Sequence, residues 1–396
     1  MEPAPISFFV SVHIQCLGTD MKKLTSLLII SSFLLAAVKA YADGPDAATR
    51  AYLEEMNIQE AAEPIRNWSR WRKPKSIVMM VPGADLAQRP DLLDWIREVS
   101  GDVELITVTG LPGEETLSKA EVFLGYCIPQ LVHAAPKLRW LQNYGVGVDL
   151  CARDKAIRQK DFLVTNNRHY SAPPIAEHVI AMMMMLTRNL TGLHADQLQG
   201  VWDGPAGRQA PMIEVKDKTM LIAGLGSIGT EVAKRAAGLG MHVIATRNSS
   251  REGPSFVDYV GLSDELNTLA AKADVIVNAM PLTAKTTGIF NRDFFKVLRK
   301  GSYFISVGRG KSTVTDDLMA ALQDGTLAGA GLDVTDPEPL PPGHPLWKMP
   351  NVIITPHNSS TSDLALDRRW IVIRDNIRRY INGEKMLNVV DIKAGY

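Results

Sequence analysis

The sequence predicts an α/β chain built from two parallel-sheet units, and three observations carry that prediction. Short apolar runs of strand length alternate with helix-compatible stretches along most of the chain, as expected of strands buried on both faces between helices. The length of 396 residues, 46% of them apolar, suits about two domains of roughly 100–200 residues each. One strand pattern runs straight into a glycine-rich turn and a helix pattern. The 43 Lys+Arg balance 43 Asp+Glu, so no general electrostatic drive toward nucleic acid or anionic lipid exists, and neither partner is expected.

In the first series, Ser76–Val81 starts the strands, followed by Val103–Val108, Glu121–Leu124, Leu138–Gln142 and Phe162–Thr165, with helix-compatible stretches such as Pro90–Val99 between them. Before it, Asp43 to about Arg72 reads as a polar helical lead-in. Pro174–Leu190, containing Met182 to Met185, is apolar nearly all round and reads as a buried helix between domains rather than a metal or membrane element. The second series has strands at Thr219–Ala223, His242–Thr246, Asp274–Met280, Tyr303–Val307, Ala330–Val334 and Val352–Thr355, with helices at Gly229–Leu239 and Thr315–Gln323. A last amphipathic stretch, Leu364–Ile381, stops at Asn382-Gly383.

Residues 21–42 combine a Lys22-Lys23 head, an apolar run from Leu24 to Ala37 and an Ala40-Tyr41-Ala42 end. That order predicts a cleaved secretory leader, too short for a membrane span of about 20 apolar residues. The expected location is periplasmic or secreted, without stable membrane insertion after cleavage, and cytoplasmic if the leader is unused. Of the three cysteines, Cys127 and Cys151 would remain after cleavage. They could pair in an oxidising compartment, though sequence does not say whether they meet.

The turn is Gly224-x-Gly226-x-x-Gly229, between a strand and a helix. Its glycines allow close backbone approach, so that a pyrophosphate can sit on the free N–H groups at the helix start, where the family resemblance given below places Ser227 and Ile228. This is a dinucleotide site. Where an NAD site usually has an acid for the ribose hydroxyl, this chain reads Thr246-Arg247-Asn248-Ser249. Arg247 suits a 2′-phosphate, so NADP is the expected cofactor and NAD the alternative. Against this stands the plain reading of Arg247 as a solvated residue at a strand end.

At this point the chain resembles the NAD(P)-dependent D-2-hydroxyacid dehydrogenases, glyoxylate/hydroxypyruvate reductases among them, from about Ser76 to Ile392. The blocks that carry the resemblance are Asn143–Asp149 (NYGVGVD), the glycine turn, Met280-Pro281-Leu282-Thr283 with Thr286, Val307-Gly308-Arg309-Gly310, Leu332-Asp333-Val334 with Glu338, and Thr355-Pro356-His357. The resemblance implies a flavodoxin-like substrate domain (76–172 and 357–396) with an inserted Rossmann cofactor domain (173–356), and a homodimer. It also implies hydride transfer between nicotinamide and a small 2-keto or 2-hydroxy acid of D configuration. By the match, His357 is the acid/base, Glu338 stabilises its imidazolium, and Arg309 holds the substrate carboxylate together with the backbone of Val146 and Gly147. Asp333 would contact the nicotinamide carboxamide, with Met280, Pro281, Thr286, Val307 and Gly308 lining the cofactor site.

Two other functions fit parts of this pattern: a catalytically silent NAD(P)-binding sensor, and formate- or phosphite-type dehydrogenation, which the pocket near Tyr144 and His169 would distinguish. Glu177-His178 with His169 lacks a metal-ligand spacing, so no metal is expected. Asn166–Ile175 (NNRHYSAPPI) departs from the family's V-x-N-x-x-G-x-N segment.

Overall fold

The computed structural model describes residues 45–202 and 212–395. The leader at 21–42 lies outside the described residues. The chain divides into a leading unit, 1–50, and a large compact unit, 51–396.

Five runs rich in Val, Ile, Leu and Met form the first sheet: β1 (Ser76–Met80), β2 (Glu104–Val108), β3 (Val122–Gly125), β4 (Trp140–Asn143) and β5 (Leu163–Thr165). All pairings are parallel, in the order β2-β1-β3-β4-β5. This is the flavodoxin-like order, in which winding reverses between β1 and β3.

The second sheet has seven parallel strands: β6 (Thr219–Ala223), β7 (His242–Thr246), β8 (Tyr259–Gly261), β9 (Val275–Asn278), β10 (Ser302–Ser306), β11 (Leu327–Leu332) and β12 (Val352–Ile354). Its order is β12-β11-β10-β9-β6-β7-β8. Winding reverses between β6 and β9, which opens a ligand crevice at the carboxyl ends of those strands. The short edge strand β8 carries no apolar run long enough to be read from sequence.

The final helix, Ala365–Asn382, returns to the first sheet, where Trp370, Ile373, Ile377 and Tyr380 are buried in that sheet's core. Tyr380 stacks on Trp140 at 4.6 Å between ring centroids, a contact worth about 0.5–1.5 kcal/mol beyond its area. The helix stops at Gly383, whose φ of 68° is the left-handed geometry of a C-terminal cap.

Three expectations need correction. The lead-in is helical only at Ala47–Glu55, with one 3-10 turn at Ile65–Asn67. From Glu60 the chain runs against its own C-terminal segment instead, with Ala61 N–H donating to the Met386 carbonyl and Ile65 N–H to that of Glu384. Trp68 and Trp71 pack on the first core, so tertiary burial overrides the helical pattern. The Met-rich helix, Ala172–Thr187, does not lie between two cores: Ile175, Val179, Met182, Met183 and Leu186 belong to the second sheet's core. Tyr144 faces no pocket: it is 1% exposed and its hydroxyl donates to the Met80 carbonyl at 2.6 Å.

The structure joins Cys127, just after β3, to Cys151 in the short helix Asp149–Arg153, with 5.8 Å between their Cα atoms. This disulfide brackets the Asn143–Val148 loop and spans 24 residues. Closing a loop of that length stabilises by about 3 kcal/mol in the chain-entropy account. The double variant Cys127→Ser/Cys151→Ser is therefore expected to melt well below the oxidised protein. Reductant should lower the wild-type melting temperature and leave the variant's unchanged; a wild type indifferent to reductant would show that the bond contributes nothing.

Candidate active site

Six loops meet at the carboxyl edge of the second sheet because strand order, not chain order, sets their neighbours. Arg309 follows β10, Glu338 follows β11 and His357 follows β12, and these three strands are adjacent. With strands about 4.8 Å apart, residues distant in sequence reach one small region. The Arg309 turn presses directly on the Thr335–Asp336 backbone: a Cβ on Gly310 would fall 1.8 Å from the Thr335 carbonyl oxygen.

His357 Nδ1 lies 2.6 Å from Glu338 Oε1. The two side chains are 44% and 41% exposed, so the imidazole's other nitrogen is open to an incoming molecule. A carboxylate on one ring nitrogen fixes the tautomer and orientation of the other. The His357 backbone has a φ of 52° and its N–H donates to the Asp333 carbonyl at 2.9 Å. The buried Asp333 carboxylate accepts from Thr355 Oγ1 at 2.7 Å, from the Asn358 N–H at 3.0 Å, and from the N–H and hydroxyl of Ser359. These bonds turn the carboxylate into the turn that carries His357.

Arg309 reaches across to the first sheet's loop after β4. Its Nε donates to Asp149 Oδ1 at 3.1 Å, Nη1 donates to the Gly308 carbonyl, and Nη2 lies so close to Gly147 that a Cβ there would be 1.9 Å away. Only glycine fits. The loop's carbonyls are turned inward: Asn143 Nδ2 donates to Gly145 and Gly147, and Asn166 Nδ2 donates to Val146. The N–H groups of Val146 and Gly147 donate to nothing among the described residues. Two free N–H groups beside a guanidinium form an anion site. Asp149 and the asparagines hold this loop and Arg309 in place, and local pattern assigns them no such contacts.

The cofactor side fits a dinucleotide. Gly224 has a φ of 101°. A Cβ on Gly229 would sit 2.2 Å from the Gly224 carbonyl oxygen, whereas one on Gly226 would point into open space. The turn is therefore tight where the backbone folds on itself and open where a phosphate would approach the uncapped helix start at Ser227 and Ile228. Met280 and Pro281 follow β9, and Thr286 closes their turn by donating to the Pro281 carbonyl at 2.7 Å. Val307 N–H donates to the Asn278 carbonyl, and a Cβ on Gly308 would meet the Met280 carbonyl at 2.8 Å. At the end of β7, Arg251 pairs with Glu265, while Arg247 is half-buried and its side chain donates to the Glu252 carbonyl at 2.9 Å. Asn248 accepts from the Ser263 hydroxyl. No group of three or more metal-ligating side chains occurs among the described residues.

His169 lies in the loop after β5 with a φ of 83°. Burial, and then the charge of Arg168, pull its pKa from 6.5 down to about 4. Between those values the unfolded chain binds a proton that the folded one refuses, so stability rises with pH across that window. His169→Gly removes this dependence and relieves a backbone cost of about 1–2 kcal/mol. Its gain in melting temperature over wild type is expected to be larger near pH 5 than near pH 7.5. Equal gains at both would show that the imidazole does not titrate as described.

Two parallel sheets, a dinucleotide turn at the switch point and an Arg/Glu/His edge define an oxidoreductase of the nicotinamide-dependent class. The chain belongs to the D-isomer-specific 2-hydroxyacid dehydrogenase family. Residues 180–359 match that family's NAD-binding domain. The glyoxylate reductase of Thermofilum pendens is 31% identical over 261 residues, covering 64% of this chain and 75% of that protein. Glyoxylate/hydroxypyruvate reductase A of Photorhabdus laumondii is 34% identical over 222 residues, covering 56% and 68%. Among solved structures, an NADPH-dependent glyoxylate/hydroxypyruvate reductase of Sinorhizobium meliloti in complex with NADP and sulfate superposes with a TM-score of 0.68 at 27% identity, covering 82% of this chain and all of that one.

Proposed function

We propose that the protein is an NADPH-preferring reductase of small 2-keto acids, such as glyoxylate or hydroxypyruvate, giving D-2-hydroxy acids. The observation that carries it is the convergence, at the carboxyl ends of the neighbouring strands β12, β11 and β10, of His357 held by Glu338 and of Arg309, which reaches the Gly147 loop. In this reading the first lobe supplies the substrate loop and the second the cofactor site. The bound cofactor supplies a hydride to the carbonyl carbon. Arg309 and the N–H groups of Val146 and Gly147 hold the substrate carboxylate. His357 Nε2 donates a proton to the carbonyl oxygen, and Glu338 stabilises the cationic ring before that transfer. In the oxidative direction the same nitrogen accepts the proton. Asp333 acts through backbone, fixing the turn that aims His357.

NADP preference rests on Arg247 and the missing acid at the end of β7, and is supported by relatives crystallised with NADP. Consumption of NADPH with a panel of 2-keto acids tests the reaction. Tight nucleotide binding without turnover on any acid would return the protein to the sensor reading. Arg247→Ala is expected to lower kcat/KM for NADPH by roughly 10–150-fold, the worth of one charged hydrogen bond of about 1.5–3 kcal/mol, while barely changing NADH. Equal wild-type kcat/KM for the two nucleotides would sink the preference.

The leader and the Cys127–Cys151 bond support an oxidising compartment, periplasmic or extracellular. N-terminal sequencing of protein from its native host should begin at Asp43. Homodimerisation is supported by the helix Leu190–Leu198, which has no buried residue and is followed by exposed Val201 and Trp202. Sedimentation should give twice the monomer mass.

A further inference from the structure

His178 has no part in this scheme. It lies in the helix Ala172–Thr187, whose residues Ile175, Val179, Met182 and Leu186 are buried in the second core. That helix runs close along β11 because two glycines there carry no side chain. A Cβ on Gly329 would fall 3.0 Å from Leu186 Cδ2, and one on Gly331 would fall 3.0 Å from Met182 Sδ. Four helix residues rise about 6 Å and two strand residues about 6.6 Å, so helix and strand advance in step. One more turn toward the start of the helix brings His178 level with Asp333 and the end of β12. There its Nε2 lies 2.9 Å from Thr355 Oγ1.

A threonine hydroxyl has one proton to give and lone pairs that receive. Thr355 gives its proton to Asp333 Oδ1 at 2.7 Å. That oxygen also accepts the N–H groups of Asn358 at 3.0 Å and Ser359 at 3.3 Å, as an ionised carboxylate does, and has no proton to return. The contact with His178 therefore needs an N–H on Nε2, which the Thr355 hydroxyl receives. The turn carrying His357 closes around this carboxylate. The His357 N–H is shared between the carbonyls of Asp333 at 2.9 Å and Thr355 at 3.0 Å, and its φ of 52° is a left-handed conformation that a side chain disfavours. A turn held in such a conformation depends on its anchors. Asn358, Ser359 and Thr355 belong to the turn's own segment, whereas His178 brings an anchor from a separate helix fixed in the core.

We propose, resting on the reading of His357 as the acid/base, that His178 is a positioning residue for its proton transfer. The His178 Nε2–H aims the Thr355 hydroxyl at Asp333 and so ties the turn that presents the His357 ring to the core-packed helix. His178 acts through Thr355 and Asp333, not by contact with the reacting atoms.

Two measurements on the full-length protein test this. In nitrogen-15 spectra of histidine-labelled protein, with the His178 signals assigned by their loss in His178→Gln, the neutral ring should carry its proton on Nε2. That N–H should exchange with water faster in Thr355→Val. A neutral ring protonated on Nδ1, or exchange unaffected by Thr355→Val, overturns the proposal. The second measurement is single-turnover oxidation of NADPH by glyoxylate. His178→Leu, which fills the space without a donor, should be slower by about 2–10-fold, the worth of one neutral hydrogen bond, with the affinities for nucleotide and keto acid unchanged. His178→Gln, whose amide nitrogen can donate at the same place, should recover most of the rate. The double variant His178→Leu/Thr355→Val should be no slower than Thr355→Val, because both act through one hydroxyl. A wild-type rate in His178→Leu, an equal loss in His178→Gln, or a loss that falls on affinity instead of rate overturns the proposal. The spectra decide even where His178→Leu fails to fold. They also do so whether or not any keto acid is turned over, and absent turnover would sink the reductase reading instead.

Discussion

His357→Ala is expected to lower kcat for keto-acid reduction by about 10²–10⁴-fold, with KM for both substrates little changed. The imidazole is partly exposed at the carboxyl end of β12 and is the side-chain type suited to passing a proton near neutrality. Glu338→Gln should have a smaller effect on kcat, because a neutral amide can still accept the Nδ1–H but no longer stabilises the ring's positive charge. The two effects should not add, since both act on one proton. Stopped-flow measurement of nicotinamide absorbance reads the chemical step directly. A His357→Ala enzyme with wild-type single-turnover rates would remove His357 from the mechanism.

Arg309→Ala is expected to be the second largest loss, about 10²–10³-fold in kcat/KM for the keto acid, equivalent to roughly two charge-assisted hydrogen bonds near the lower end of about 1.5–3 kcal/mol each. Arg309→Lys keeps the charge and loses the fork, so it should recover only part. Asp149 gives a sharper check. It holds Nε at 3.1 Å and so aims the outer nitrogen at the Gly147 backbone. Asp149→Ala should raise KM for the acid while leaving the affinity for nucleotide as it was, and Asp149→Asn, which can still accept from Nε, should sit between. A variant at Gly147, such as Gly147→Ala, must push the guanidinium aside and should mimic Arg309→Ala. If Arg309→Ala instead weakened nucleotide binding and spared the acid, the guanidinium would belong to the cofactor's side of the cleft.

Much of the fold is legible in the chain. The strands announce themselves as Val/Ile/Leu runs because parallel strands are buried on both faces, and ten of these runs need no more than a shift of one or two residues at an end. The β11 run is the exception, starting three residues earlier than expected, because Ala328-Gly329-Ala330-Gly331 offers little hydrophobicity to read. Strand β8 is three residues at an edge, too short for periodicity to register. The lead-in departs from its helical pattern because Trp68 and Trp71 answer to a core formed in part by residues hundreds of positions away. Isolated propensity says nothing of such a partner.

The sequence by itself determined the strand and helix series, the glycine turn, and the identity of the residues that the chemistry needs, because local pattern and side-chain type are properties of neighbouring residues. Only the tertiary structure decided who meets whom. It put β12, β11 and β10 side by side so that His357, Glu338 and Arg309 share an edge, paired Cys127 with Cys151, gave Arg309 to Asp149, and turned Asp333 toward the His357 loop. Each of these contacts depends on how the sheets wind and close, which no short stretch of residues encodes.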